Sequence, residues 1–141
     1  MELLVVIAVI GIIVGMSVPA LTRYSAQVRL KSMTRQVVGL ISLARSLSIG
    51  SRAGHAVIID PDAREITVEN TASGQALEQK VRIPTSMTVE VQMGGEPSPE
   101  SRVSFRPNGS LSGRSLSLVL TDGKKRQTIT VTGATGAVSV Q

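Results

Sequence analysis

MELLVVIAVIGIIVGMSVPAL, residues 1–21, opens the chain, and residues 3–21 carry no charge. As a helix rising 1.5 Å per residue, that run reaches roughly 28 Å, close to the ~30 Å hydrocarbon thickness of a bilayer. Buried helices of soluble proteins are seldom so long and so apolar, so residues 3–21 read as one membrane-spanning helix. A cleaved secretory signal would begin with basic residues and hold a shorter apolar run. This chain begins Met1-Glu2, and Ser17-Val18-Pro19-Ala20 makes a weak cleavage region.

Charge around the run is lopsided. Arg23, Arg29, Lys31 and Arg35 follow it, and the positive-inside tendency would hold that flank in the cytoplasm unless something basic precedes the run. Residues 1–52 hold six basic residues, completed by Arg45 and Arg52, against the single acid Glu2. The rest of the chain balances nine basic residues with nine acidic ones. The sequence pI near 10.5 therefore describes the N-terminal third and not a uniformly basic protein.

Past Leu21 the pattern remains helical. Leu30, Met33, Val37, Leu40, Ala44 and Leu47 recur at steps of three and four, one apolar stripe that Ile41 widens. The basic side chains fall largely off it. Gly50 and Gly54, with Ser51 between, are expected to end the helix. From His55 the period becomes two. Ala56–Ile59 and Glu65–Glu69, separated by the turn cluster Asp60-Pro61-Asp62-Ala63, read as a hairpin. Further strands are expected at 80–83, 87–93, 102–105, 116–120, 126–132 and 137–140, with a loop over 94–99. The expected architecture is α+β. A long N-terminal helix (1–52), membrane half plus amphipathic half, packs on antiparallel sheets of a β-rich globular domain (53–141).

Composition narrows the function. In 141 residues only Tyr24 and Phe105 are aromatic, which excludes a nucleic-acid surface built on stacked rings. There is no cysteine, hence no disulfide, thiolate metal site or cysteine nucleophile. His55 is the only histidine, so a metal site would need several carboxylates beside it. Asp60 and Asp62 are explained by their turn. No Gly-x-Ser-x-Gly elbow, phosphate loop or dinucleotide fingerprint occurs. The chain is read as a non-enzyme with no cofactor and no metal.

Glu2 followed by the apolar run Leu3–Ile13 and by Pro19 resembles the N-terminal signature of type IV prepilins and type II secretion pseudopilins. In that family a short basic leader ends in Gly, and a mature start of the form Phe-Thr-Leu-x-Glu leads into the apolar helix. The leader and the first three mature residues have no counterpart here. The chain is expected to start late, and an upstream leader would supply both the cleavage site and the missing cytoplasmic charge. The resemblance implies that Glu2 neutralises the N-terminal amine of a neighbouring subunit during assembly. Pro19 is expected to kink the helix, since it removes a backbone hydrogen bond. Gly11 and Gly15 have a small-xxx-small spacing that permits close helix packing.

Ala44-Arg45-Ser46, the run Val103-Ser104-Phe105-Arg106-Pro107-Asn108-Gly109 and a Gly near the C-terminus resemble minor pseudopilins of the GspH/FimT type. That implies a single-pass bacterial inner-membrane protein with a periplasmic domain, taken into a pseudopilus or pilus at or near its tip, with other pilin-like subunits and secreted cargo as partners. A DNA-uptake or adhesive minor pilin is the alternative. Some FimT-like members bind DNA through Gly-Arg-x-Arg, but the matching stretch here is Gly136-Ala137-Val138-Ser139, without either arginine, so nucleic acid is not expected through that motif.

Overall fold

The structure, a computed structural model, describes the backbone of residues 2–141 and the side chains of residues 2–15 and 24–141. One helix, α1 (Glu2–Ser51), precedes nine strands: β1 (His55–Asp60), β2 (Glu65–Asn70), β3 (Ala76–Arg82), β4 (Thr88–Met93), β5 (Glu96–Pro97), β6 (Arg102–Phe105), β7 (Leu116–Thr121), β8 (Arg126–Val131) and β9 (Val138–Val140). The helix is 50 residues long, on the order of 75 Å.

The stripe read from the sequence is the face that docks. Leu30, Met33, Val37, Leu40, Ile41 and Ala44 are buried, while Leu47 at the edge of the stripe is half-buried. Two polar residues share that buried face, and each is satisfied within the helix. Thr34 donates its hydroxyl to the Leu30 carbonyl at 2.9 Å, and Ser48 donates to the Ala44 carbonyl at 2.8 Å. Ser48 Oγ also accepts the backbone N–H of His55 at 3.1 Å, which ties the helix end to the start of β1. The helix ends between Gly50 and Gly54, as expected. The chain leaves it after Ser51, through Arg52 in the left-handed region (φ 53°).

The strands form two antiparallel sheets, ordered β3-β2-β1-β6 and β5-β4-β7-β8-β9. The chain builds three strands of the first sheet, crosses to the second for β4 and β5, and returns with β6 beside β1. Alternation is clear in β2, where Ile66 and Val68 are buried between half-buried Glu65, Thr67 and Glu69. The core joins Val57, Ile66, Val103 and Phe105 of the first sheet to Leu118, Leu120, Ile129 and Val131 of the second, and the docked helix face lies against both.

Two segments differ from the sequence reading. The third strand begins at Ala76, four residues before the expected 80, because residues 76–80 are exposed on both faces and offer no alternation to read. The expected loop over 94–99 contains a two-residue strand. Gly94 (φ 64°) and Gly95 (φ 92°) supply the two positive φ angles of a tight hairpin turn, so Glu96 and Pro97 pair with Met93 and Gln92. A third feature had no signal in the sequence. The Arg64 guanidinium, on the turn after β1, donates to the carbonyls of Ile83 (3.2 Å), Pro84 and Met87 (2.8 Å), holding the β3–β4 link against the first hairpin.

On the outer part of the first sheet, Glu65 sits between Lys80 Nζ at 3.0 Å and Arg82 Nε at 3.3 Å. Chiefly through Lys80, and then Arg82, these cations hold its carboxyl below its usual value of 4.5. A group whose folded-state pKa is depressed stabilises the fold above its ordinary pKa and ceases to as the pH falls through the folded value. The pair is exposed, so the effect is small. Glu65→Gln is therefore expected to lower the urea midpoint slightly at pH 7. That deficit should disappear once the pH lies below the usual carboxylate range, as paired urea titrations at the two pH values would measure.

Candidate assembly site

The helix is uncovered before it docks. Leu3 (74% exposed), Leu4, Val5, Val6, Ile7, Val9, Ile10, Ile12, Ile13 and Val14 all have exposed side chains. Full burial of such a side chain is worth about 1.5–3 kcal/mol, so covering what these still expose would release on the order of 10 kcal/mol. Soluble monomers rarely expose an apolar surface of this extent, and one this large marks contact with a membrane or a partner protein. Among the described residues no helix is long and apolar enough to cross a membrane, and the described part of this arm stops at Gly15.

Glu2 lies exposed in the first turn of the helix, at the head of the arm. A carboxylate there also complements the positive end of the helix dipole. Gly11 and Gly15 lie on the arm with open space where a Cβ would stand, so they leave shallow gaps in its surface. Pro19, the expected kink, lies outside the residues whose side chains are described. Of the four residues expected to act in assembly, three therefore lie along one uncovered rod, with Glu2 at its tip.

Three motifs that are distant in sequence meet where the docked half ends. Arg45, placed off the apolar stripe by its spacing, is half-buried, and its Nε donates to the Gly109 carbonyl at 3.2 Å. Gly109 (φ 78°) lies directly under Ile49, and a Cβ there would come within 2.7 Å of the Ile49 Cδ1. Gly136 (φ 64°) lies under Gly109 in turn, and a Cβ at this position would overlap the Gly109 carbonyl oxygen and approach Arg45 Nε to 3.1 Å. The loop carrying Gly109 is closed by Arg106 N–H to the Ser110 carbonyl and Gly109 N–H to the Arg106 carbonyl, both 2.8 Å. Buried Phe105 holds its base. Helix end, Asn108-Gly109 turn and C-terminal glycine thus form one anchor that fixes how the rod leaves the sheets. Spacing alone had no means of showing that these motifs touch.

The remaining candidates are structural. His55 is buried, with Nδ1 at 3.0 Å from the Ala53 carbonyl, and the described residues contain no group of three metal-ligating side chains. Asp60 accepts the N–H groups of Asp62 (2.9 Å) and Ala63 (2.8 Å), the turn role read for it. A cleft of about 730 Å³ is lined by Arg106, Arg114, Ser110, Ser115 and glycines among others, and no carboxylate or imidazole lines it to act as a base. Gly136 belongs to the anchor, and Ala137–Ser139 add no cation there.

No protein-family model and no curated protein matches the sequence. Solved structures do match in fold. The type IV minor pilin FimU of Pseudomonas aeruginosa superposes with a TM-score of 0.69 at 16% identity, over 84% of this chain and 92% of that one. The minor pseudopilin EpsH of the type 2 secretion system of Vibrio cholerae superposes with a TM-score of 0.53 at 17% identity, over 84% of this chain and 94% of that one. The chain has the type IV pilin-like fold that minor pilins and minor pseudopilins share.

The anchor predicts unequal costs for Gly→Ala substitutions. Gly136→Ala combines a positive φ with a backbone overlap and should cost about 2–4 kcal/mol. Gly113→Ala, at an open site with no positive φ, should change stability by less than about 0.5 kcal/mol. Chemical unfolding of the two variants side by side measures the difference.

Proposed function

We propose that the chain is a minor pilin or pseudopilin subunit, a structural component of a type II secretion pseudopilus or a type IV pilus that works at or near the filament tip in assembly and protein secretion. The observation that carries this reading is the uncovered apolar arm, headed by Glu2, on a body of the pilin-like fold. Residues 3–21 hold the subunit in the bacterial inner membrane as a single span, and the β-rich domain of residues 53–141 lies in the periplasm. FimU belongs to a type IV pilus and EpsH to a type II secretion system, so the likeness in fold supports a filament subunit in either setting.

The mechanism is transfer of the arm from lipid to a bundle of neighbouring helices. Both surroundings are apolar, so the exchange has little hydrophobic driving force of its own. Direction and register then come from packing and from the few polar groups present. Glu2 is one such group. A carboxylate buried alone among apolar helices is strongly unfavourable, whereas one buried beside a cationic amine is tolerated. Contact with the amine of the next subunit therefore selects the correct axial position. Gly11 and Gly15 let a neighbouring helix approach closely, and Pro19 bends the rod where it passes from membrane to body. The rod moves while the anchored body follows as a unit and presents its surface to adjacent subunits or secreted cargo.

Glu2→Ala is expected to leave membrane retention unchanged while reducing incorporation into filaments at least tenfold, with Glu2→Asp intermediate. Crosslinking to neighbouring subunits in cells that express the variant as their only copy measures this. Assembly of the alanine variant at the parental level would overturn the reading.

A further inference from the structure

The sequence places Lys124-Lys125-Arg126 on a turn far from the helix, and the fold brings that turn to it. Lys125 Nζ donates to Gln27 Oε1 at 2.9 Å, across 98 positions of chain. A groove of about 300 Å³, lined by Lys31, Thr34, Arg35, Val38, Gln127 and Val140, makes the same connection one turn further along, with helix cations on one wall and the residue after Arg126 on the other. Arg29 and Lys31 are exposed on the helix at this level, as are Lys124 and Lys125 on the turn and Arg126 at the start of β8. Among the described residues, Arg29, Lys31, Lys124 and Arg126 have no carboxylate within ion-pair distance. The one acid of the turn, Asp122, is spent on the turn itself, accepting the N–H groups of Lys124 at 3.0 Å and Lys125 at 2.7 Å.

The height of this cluster above the apolar run follows from helix geometry. Gln27 lies six residues past Leu21, roughly 9 Å along the axis, and Lys31 roughly 15 Å, with its long side chain leaning back toward the helix N-terminus. The Debye length at physiological salt is about 8 Å, so the turn lies within reach of a charged surface at the end of the apolar run. We propose that the β7–β8 turn and the adjoining helix segment form a cationic foot that rests on the anionic headgroups of the membrane crossed by residues 3–21. The proposal rests on the membrane-spanning reading above and adds a second, electrostatic contact, which sets the height and tilt of the body before assembly. Each basic residue near an anionic bilayer surface strengthens association about fivefold, and salt weakens it.

The chain's own lysines make the test. It has four, Lys31, Lys80, Lys124 and Lys125, and Lys80 is engaged with Glu65 on the first sheet, away from the turn, so it serves as the internal reference. The full chain is reconstituted into vesicles of phosphatidylcholine alone or with one-third phosphatidylglycerol. Insertion is scored by resistance to alkaline extraction, and amine labelling is read by mass spectrometry. The expected result is extraction-resistant chain in both vesicles, with labelling of Lys124 and Lys125 relative to Lys80 about fivefold lower on the anionic vesicles and restored by 0.5 M salt (on the order of a 4 Å Debye length). Inserted chain with equal labelling on both vesicles would overturn the foot and leave the membrane span standing. Chain released by alkali from both would overturn the span and the foot together. Equal protection on phosphatidylcholine vesicles by a short DNA duplex or by inorganic phosphate would identify a general phosphate surface and overturn the assignment to lipid.

Discussion

A single helix here has to satisfy two different surroundings at once. Over residues 30–44 its apolar stripe is sealed against two sheets, and from Leu3 to Gly15 its apolar surface is exposed. Continuity of backbone hydrogen bonding links the two parts. An isolated helix pays for its first turn before propagation rewards it, so the docked half supplies the nucleus and the arm extends from a turn already formed. Every later property of the molecule depends on that coupling, because anything that positions the body also positions the arm.

The coupling would have little value if the helix could swivel on the sheets. The anchor at its far end removes that freedom by setting Arg45 and Ile49 of the helix against two tight turns. At Gly136 one turn stacks so closely on the Gly109 carbonyl of the other that a methyl group does not fit, and Arg45 reaches over to bond the same carbonyl. Ser48 adds a second tie by accepting the first N–H of β1. These contacts leave few alternative packings of similar energy, since close-packed interiors shift between discrete arrangements and do not deform continuously. The likeness in fold to a pilin of one filament system and a pseudopilin of another concerns this same helix-on-sheets body.

What the sequence revealed follows from where its information lies. Periodicity reports which face of an element is buried, so the stripe from Leu30 to Ala44 and the alternation of β2 were legible. Periodicity is silent where an element buries neither face, and the first half of β3 is held only by its backbone pairing with β2. Residues 94–99 read as a loop, and two residues are too few to show that Glu96 and Pro97 pair back. Long-range polar contacts leave no local trace at all. Arg64 capping three carbonyls about twenty residues on, Arg45 on Gly109 and Lys125 on Gln27 each join positions whose neighbourhoods in sequence are unrelated. Glu2, Gly11 and Gly15 stand out in the sequence for the opposite reason, since they belong to an exposed segment whose pattern is local.

The outer strands of both sheets also govern how copies can meet. An open sheet margin is a template on which another chain can add a strand. On the first sheet, β3 is the longest such margin, and it carries Glu78, Lys80 and Arg82 in exposed positions. On the second, one margin is the two-residue β5 with Pro97, which has no N–H to offer, and the other is β9, only three residues long. Charge, proline and brevity each discourage ribbon-to-ribbon growth. Uncontrolled cross-β stacking is thereby suppressed, and under the filament reading proposed above self-association is left to the rods, where it can be dismantled as well as built.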